Sequence, residues 1–257
     1  MDFLDEINLS RKAGKAFALA TLVETSGHTP RKAGAKMLVY TDGSIAGTIG
    51  GGNFERQVID DCLALLNGAG GTLLKSYLFE ESGPGSTEMI CGGEGKVFME
   101  AFAKPETLVI FGGGHVCRAL VNVVTGLNFR IVIVDNREEI LNQYQSSIQK
   151  ILTGEHYDGN WPTLDKDSYV VIVTQGHMYD EQVLGKVIKH DCSYIGMIGS
   201  KKKIAHTFAS LEKQGIAREQ LAKVHSPIGL DIGAEGPQEI AIAIAAELIA
   251  VRRKVLE

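Results

Sequence analysis

The segment Thr107–Arg118, TLVIFGGGHVCR, constrains the fold more than any other part of the sequence. Five mostly β-branched or aromatic residues lead into three glycines, and an apolar-periodic segment follows them. This order of strand, glycine turn and helix is typical of the opening of a dinucleotide-binding βαβ unit. We therefore predict that the second half of the chain folds as a doubly wound parallel sheet of the Rossmann type.

The glycines predict a phosphate-binding turn made of backbone groups. Gly112 permits the tight turn, Gly114 lets a phosphate approach the main chain, and the first N–H groups of the helix supply donors. We assign Gly113 and His115 to the same cofactor-binding turn. The third position of the fingerprint is Cys117 instead of glycine or alanine, so the helix shifts outward or the thiol fills a gap.

An acidic residue follows at the spacing expected for ribose recognition. A second predicted strand, 129–134, ends in Asp135, which lies 21 residues after Gly114 (135 minus 114). An acidic side chain there accepts hydrogen bonds from the ribose 2′-OH of NAD. Arg137 counts against NAD, because a guanidinium two residues further on can reach a phosphate. The alternative is a Rossmann domain that keeps the turn for packing and binds nothing.

The first half of the chain contains a second predicted anion site. A polar loop between two predicted strands carries the potential cations His28, Arg31 and Lys32. A glycine-rich stretch then leads into an apolar-periodic helix, and helix N-termini bind phosphate or carboxylate groups. We assign the glycines of that stretch to cofactor binding as well: Gly50, Gly51 and Gly52. A solvated loop whose glycines only serve turns is the alternative.

The side chains best suited to chemistry lie in loops. Cys91 precedes two glycines, so few side chains shield its sulfur, and an exposed thiol can carry sulfur. A small apolar residue tucked under the loop is the alternative. In the Rossmann half, His115, His177 and Lys201 follow predicted strands, whose carboxyl ends meet at one crevice. His177 is the candidate for proton transfer, although polar lining of the crevice explains the histidines better than acid–base chemistry or metal binding does.

Composition excludes several classes of protein. The four cysteines form no C-x-x-C pair, and the spacing of His115, His177 and His225 does not demand a metal, so we predict no metal site. A formal charge of −5 and a single basic cluster at 201–203 argue against nucleic-acid binding. No apolar run reaches the roughly 18 residues of a membrane span, and the first residues are acidic, which predicts a cytoplasmic protein.

Several segments together resemble the XdhC/CoxI family, the accessory proteins of xanthine dehydrogenase and related molybdenum hydroxylases. The match covers nearly the whole chain in order, and SGHTPRKAG and GLDIGAE are its most specific segments. The others are GTIGGGNFE, CGG, FGGGHV, VDNR, TQGH and YIGMIGSKKK. The resemblance implies a small α/β XdhC/CoxI N-terminal domain, predicted over residues 1–104, and an XdhC Rossmann domain over 105–257.

The resemblance also implies a cofactor chaperone rather than a turnover enzyme. Family members hold molybdenum cofactor (molybdopterin), protect it while a cysteine desulfurase supplies the terminal sulfur, and deliver it to an apo molybdenum hydroxylase. The two glycine turns then bind a pterin phosphate or a dinucleotide form, and Cys91 handles sulfur. The family usually has glycine where this chain has Cys117, so a nucleotide would sit differently here. We also expect a homodimer.

Two other functions stay open from the sequence. One is an NAD-dependent oxidoreductase, in which Asp135 binds the ribose and His115 or His177 moves a proton. The other is a regulator that only docks a partner through the final predicted helix, whose apolar stripe is Ile240, Ile244, Leu248 and Val251.

Overall fold

The protein consists of two compact units, each with its own sheet and hydrophobic core. The computed structural model describes residues 3–68, 71–78 and 93–256. The units are Met1–Pro105 and Glu106–Glu257. The prediction of an α/β fold with a Rossmann-like sheet in the second half is confirmed. Cys91 lies outside the described residues, so its predicted role stays a prediction. Within the described parts, no helix has both the length and the apolar character that crossing a bilayer requires.

The first unit is an antiparallel sheet with a long helix on one face. Its elements are α1 (Phe3–Lys12), β1 (Phe17–Ser26), β2 (Lys36–Tyr40), β3 (Ile45–Gly47), α2 (Gly52–Asn67), β4 (Gly71–Leu78) and β5 (Glu94–Phe102). The strand order is β3-β2-β1-β5-β4. Alternate residues of β1, Ala18, Ala20 and Leu22, pack with Phe54 and Val58 of α2, as the two-residue period of a strand requires. The sequence analysis did not predict α1 or β3.

The second unit is a five-stranded parallel sheet. Its elements are β6 (Thr107–Phe111), α3 (His115–Val124), β7 (Arg130–Asp135), α4 (Glu138–Leu141), β8 (Gln149–Leu152), β9 (Ser168–Ile172), α5 (His177–Val187), β10 (Tyr194–Met197), α6 (Lys201–Lys213), α7 (Arg218–Leu221) and α8 (Gly236–Arg252). The strand order is β10-β9-β6-β7-β8, and all neighbours are parallel. The chain direction across the sheet reverses between β6 and β9, which is the topological switch point of a doubly wound fold.

Helices cover both faces of this sheet, and Cys117 lies inside one of the two layers. One core contains residues of α3 and α8, and the other contains residues of α5 and α6. Cys117 is fully buried in the first core, and burial raises the pKa of its thiol to about 12. The thiol therefore fills the helix–sheet interface as a small apolar group that is closed to solvent.

The two ends of the second unit are joined by Arg252. Its Nε lies 2.5 Å from Oε2 of Glu106 in an ion pair, and its Nη1 donates a hydrogen bond of 2.7 Å to the carbonyl of Leu127. The guanidinium carbon lies 3.6 Å from the ring centroid of Phe129. A cation held over an aromatic ring and paired with a carboxylate stabilises the contact between α8 and the start of β6.

The turn after β6 gives a direct test of why glycine is needed there. Gly112 has φ of +103°, and an added Cβ would lie 2.4 Å from the Val173 carbonyl oxygen. We expect Gly112→Ala to lower the free energy of unfolding by about 2–4 kcal/mol. Gly114→Ala is the matched control: no atom lies within 4 Å of its added Cβ, so the loss should stay below about 1 kcal/mol. Urea denaturation measures both, and equal losses would contradict the steric account.

Candidate functional site

A cleft lies at the switch point, outside the carboxyl ends of β6, β7, β9 and β10. It has a volume of about 390 Å³, within the usual range for sites that bind small molecules. Three potential cations line it: His115, Arg118 and Arg137. Its lining, taken from the described residues, includes no aspartate or glutamate. The electrostatics of this surface, which we call the switch-point cleft, therefore favour an anionic ligand.

The backbone at the start of α3 is open to the cleft. Gly114 is the N-cap residue of α3 and lines the cleft, with no atom within 4 Å of where a Cβ would lie. Gly113 differs, because a Cβ there would lie 2.9 Å from a methyl group of Ile140. A phosphate can thus approach the main chain at Gly114, where helix N–H groups and the helix dipole favour negative charge.

Asp135 has a different set of contacts from the ribose contact that its position predicts. The carboxylate is fully buried, and its Oδ2 accepts a hydrogen bond of 2.6 Å from the N–H of Gly113. Arg137 donates to both carboxylate oxygens, from Nη2 to Oδ2 and from Nε to Oδ1, each at 2.9 Å. The backbone N–H of Arg137 adds a further bond to Oδ1. These internal donors use the acceptor positions that a ribose 2′-OH would need.

The hydrogen bonds to Asp135 hold the Arg137 side chain at the wall of the cleft. The hydrogen bonds that Arg137 donates to Asp135 raise the pKa of the guanidinium above its ordinary value, and they fix its plane. Arg137 lines the switch-point cleft with its side chain 27% exposed, so it remains within reach of a ligand. A guanidinium that is held in a fixed orientation before the ligand binds suits a phosphate. This agrees with the argument from the sequence that Arg137 favours a phosphate group over the ribose of NAD.

In the first unit, the second glycine turn is occupied by a carboxylate of the chain itself. Oε2 of Glu55, in the first turn of α2, accepts hydrogen bonds from the Thr48 hydroxyl, from the Ile49 N–H at 3.1 Å and from the Gly51 N–H at 3.2 Å. Burial raises the pKa of Glu55, but these hydrogen bonds outweigh it and lower the pKa below the ordinary value. The predicted role of Gly50, Gly51 and Gly52 in binding a cofactor therefore requires donors that Glu55 does not use.

The cationic loop lies directly against this turn. A Cβ at Gly50 would lie 2.6 Å from the ring of Pro30, so the loop and the turn touch. The side chains of His28, Arg31 and Lys32 are all exposed. They are accessible to an anion at this surface, although the prediction that they bind a cofactor stays untested.

Of the three residues predicted to converge on one crevice, His115, His177 and Lys201, the structure shows His115 at the switch-point cleft. His177 is the first residue of α5, two residues after Gln175 of the cleft, but its side chain lies outside what the structure describes. The lysine of α6 that lines a cavity in the described part of the chain is Lys203, two residues beyond Lys201.

Sequence reasoning missed a buried carboxylate beside the cleft, Asp180. It lines a second cavity of about 230 Å³, which shares three lining residues with the switch-point cleft: Thr174, Gln175 and Ile198. Its Oδ1 accepts hydrogen bonds from the Thr174 hydroxyl at 2.6 Å and from the Thr174 N–H at 3.0 Å. Burial raises the pKa of Asp180 to about 6. In the sequence it resembles an ordinary acidic residue in a first helical turn, which gives no sign of burial.

His225, the third histidine considered for a metal, belongs to a packing network. Its ring stacks on Tyr194 with centroids 4.7 Å apart, and its Nδ1 lies 3.4 Å from Oε1 of Glu247. Oε2 of Glu247 accepts hydrogen bonds from the Tyr194 hydroxyl and from the N–H of Gly229 at 2.8 Å. Within residues 3–68, 71–78 and 93–256, no cluster of three histidine, cysteine or acidic side chains has the arrangement of a metal site.

Comparison with known families places the chain. The model of the XdhC Rossmann domain matches residues 108–248, and the model of the XdhC and CoxI family matches residues 10–77. The chain belongs to the XdhC/CoxI family. The Rossmann match covers the parallel sheet except Thr107, the first residue of β6, and it includes the lining of the switch-point cleft and of the second cavity beside it.

Three known proteins resemble this XdhC/CoxI chain. The uncharacterized protein YqeB of Escherichia coli K12 is 36% identical over 92% of the chain and 43% of its own length. A probable xanthine dehydrogenase component of Bacillus subtilis is 24% identical over 62% of the chain and 47% of its own length. The chain thus spans less than half the length of these two relatives. A crystal structure described as a xanthine dehydrogenase from Bacillus halodurans shares the fold, with a TM-score of 0.54, 20% identity, and coverage of 100% of this chain and 97% of its own.

The internal carboxylate at the second glycine turn yields a stability prediction with a defined pH dependence. Glu55→Ala removes the acceptor of three donors, so we expect the free energy of unfolding at pH 7 to fall by about 1–3 kcal/mol. Because the folded pKa is lowered, the advantage of the wild type is present above the ordinary value of 4.5 and disappears as the pH falls through the folded value. Urea denaturation from pH 3 to 7 measures the difference.

The control for this experiment is the next residue of α2. Arg56 is exposed, so Arg56→Ala should change the stability by less than about 0.5 kcal/mol across the same pH range. A pH-independent loss for Glu55→Ala, or an equal loss for the control, would contradict a charge-assisted role of Glu55.

Proposed function

We propose that this XdhC/CoxI chain is an accessory protein of xanthine dehydrogenase-type molybdenum hydroxylases, which binds molybdenum cofactor and assists its sulfuration and insertion. The observation that carries the proposal is the switch-point cleft, in which an open backbone at Gly114 faces two arginines and a histidine without a carboxylate. A phosphorylated pterin matches that surface in charge. The name of the Bacillus subtilis relative supports the choice of hydroxylase.

The residues present fit the phosphate end of such a cofactor. Gly114 and the N-terminus of α3 would hold the phosphate through the main chain, with Arg137 and Arg118 contributing charge. Molybdenum cofactor supplies redox chemistry to the hydroxylase that receives it, so this chain needs only to hold, orient and release the molecule. The proposed partners are an apo-hydroxylase and a cysteine desulfurase, with a homodimer as the working form.

The contacts of Asp135 separate this proposal from the competing oxidoreductase. An NAD-dependent enzyme of this fold uses the acidic residue at this position to hold the adenosine ribose. Here the same carboxylate holds Gly113 and Arg137, which leaves the ribose without its acceptor. The geometry therefore supports a ligand with phosphate at this end of the cleft over an unphosphorylated ribose.

Phosphate recognition by the cleft is tested through Arg118, which is exposed and lies outside the core. Arg118→Ala should weaken binding of inorganic pyrophosphate by about tenfold, because a charge-assisted hydrogen bond is lost. Isothermal titration calorimetry measures the affinity. Arg130→Ala is the matched control, an exposed arginine on β7 that bonds to Gln149 away from the cleft, and it should leave the affinity unchanged. No pyrophosphate binding by the wild type would overturn the proposed site.

Sulfur handling is tested through Cys91. In an assay that activates an apo-hydroxylase with cofactor and a cysteine desulfurase, Cys91→Ala should lower activation at least tenfold, because the thiol that the proposal assigns to sulfur transfer is missing. Retention of the pterin should not change. Cys192→Ala is the control, since burial raises the pKa of that half-buried thiol to about 11 and makes it unreactive. Unchanged activation by Cys91→Ala would remove this cysteine from the mechanism.

A further inference from the structure

We propose that Asp180 and Lys203 form a second recognition site, which reads the amino–lactam edge of a heterocycle, as found in pterins and guanine. The inference rests on the proposed function for the phosphate end of the ligand. It concerns the cavity of about 230 Å³ beside the switch-point cleft, called the Asp180 cavity below.

The position of the Asp180 cavity suits the far end of a ligand bound in the cleft. The two spaces share Thr174, Gln175 and Ile198 as lining, so a molecule can extend from one into the other. A volume of about 230 Å³ equals roughly eight water molecules at liquid density, which is sufficient for a bicyclic ring. The phosphate end and the ring end of a single ligand can therefore occupy adjoining spaces.

The walls of the Asp180 cavity combine apolar and charged side chains. Met197, Ile198 and Ile204 supply the apolar surface. Asp180 and Lys203 also line the cavity, and their charges interact. Flat heterocycles are bound in this way, with apolar contacts to the faces and a few polar groups at the edge.

The hydrogen bonds of Asp180 leave one oxygen for a ligand. Thr174 occupies Oδ1 through both its hydroxyl and its N–H. Oδ2 accepts no hydrogen bond from the part of the chain that the structure describes, although the residue is 93% buried (100% minus 7% exposed). A carboxylate oxygen at the wall of a largely apolar cavity is stabilised when N–H donors reach it.

The charges of Asp180 and Lys203 determine which hydrogen-bond donors and acceptors the edge of the ligand must carry. Oδ2 of Asp180 has two lone pairs, which accept from the adjacent ring N–H and exocyclic amino group of a pterin or guanine, and the Lys203 ammonium donates to the neighbouring carbonyl oxygen. Adenine presents an unprotonated ring nitrogen beside its amino group, and that nitrogen repels a carboxylate. The site therefore discriminates guanine from adenine and accepts a pterin.

Binding of defined probes to the full chain tests this inference. GMP should bind at least tenfold more tightly than AMP in calorimetry, and neopterin should bind with quenching of its fluorescence. Asp180→Asn keeps an acceptor for Thr174 but replaces the other oxygen by a donor, so it should abolish the preference for GMP over AMP. Inorganic pyrophosphate should bind that variant as well as it binds the wild type, because the cleft that holds phosphate is intact.

A second variant guards against loss of folding, and a neighbour serves as control. Lys203→Met, at an exposed position, should weaken GMP and neopterin binding about fivefold because one hydrogen bond to the ring carbonyl is lost, whereas Lys202→Ala one residue earlier should change neither. Binding of only GMP or only neopterin supports the site and shows whether its ligand is a guanine nucleotide or a pterin. Equal affinities of GMP and AMP for the wild type, or an unchanged preference in both Asp180→Asn and Lys203→Met, overturn the inference. Pyrophosphate binding is measured separately. If the wild type does not bind pyrophosphate, the proposed function is contradicted and not the second recognition site.

Discussion

The geometry of the switch-point cleft depends on one buried carboxylate, that of Asp135. A charge without exposure to solvent is costly unless donors surround it, and Asp135 gains four: the N–H groups of Gly113 and Arg137 and two from the guanidinium. The same bonds fix the turn after β6 and the direction of Arg137. The residue that the fold uses to hold the turn thereby also prepares the cation that faces the ligand.

Both glycine turns repeat this arrangement, in which an acidic side chain of the chain bonds to turn amides. Asp135 does so after β6, and Glu55 does so at the start of α2. The sequence pattern predicts that the N–H groups of these turns bind an anion, but some of them already donate hydrogen bonds to Asp135 or Glu55. The remaining determinants of anion binding are the open helix start at Gly114 and the guanidinium groups that line the cleft.

Periodicity and glycine placement were sufficient to predict the architecture of the second unit. The buried strands of the second unit are apolar runs of four to six residues, and a strand, glycine turn and helix in that order has few alternative folds.

The direction of a side chain is harder to predict. The spacing of Asp135 is correct for ribose binding, yet nothing in the local sequence tells that its carboxylate turns inward to Gly113 and Arg137. Asp180 shows the same difficulty in the opposite sense, because one aspartate near the start of a helix is normally a solvated residue that complements the helix dipole. Its burial follows from β10 and α6 packing beside α5, and the residue pattern of α5 alone gives no sign of those contacts.

The ion pair between Glu106 and Arg252 brings the first and last parts of the Rossmann unit side by side. Units with neighbouring ends tolerate circular permutation, because a short linker can join the old ends while a surface loop elsewhere supplies new ones. The order in which the strands are synthesised is thus separable from the sheet that they form, and the cleft between β6 and β9 should survive such a rearrangement.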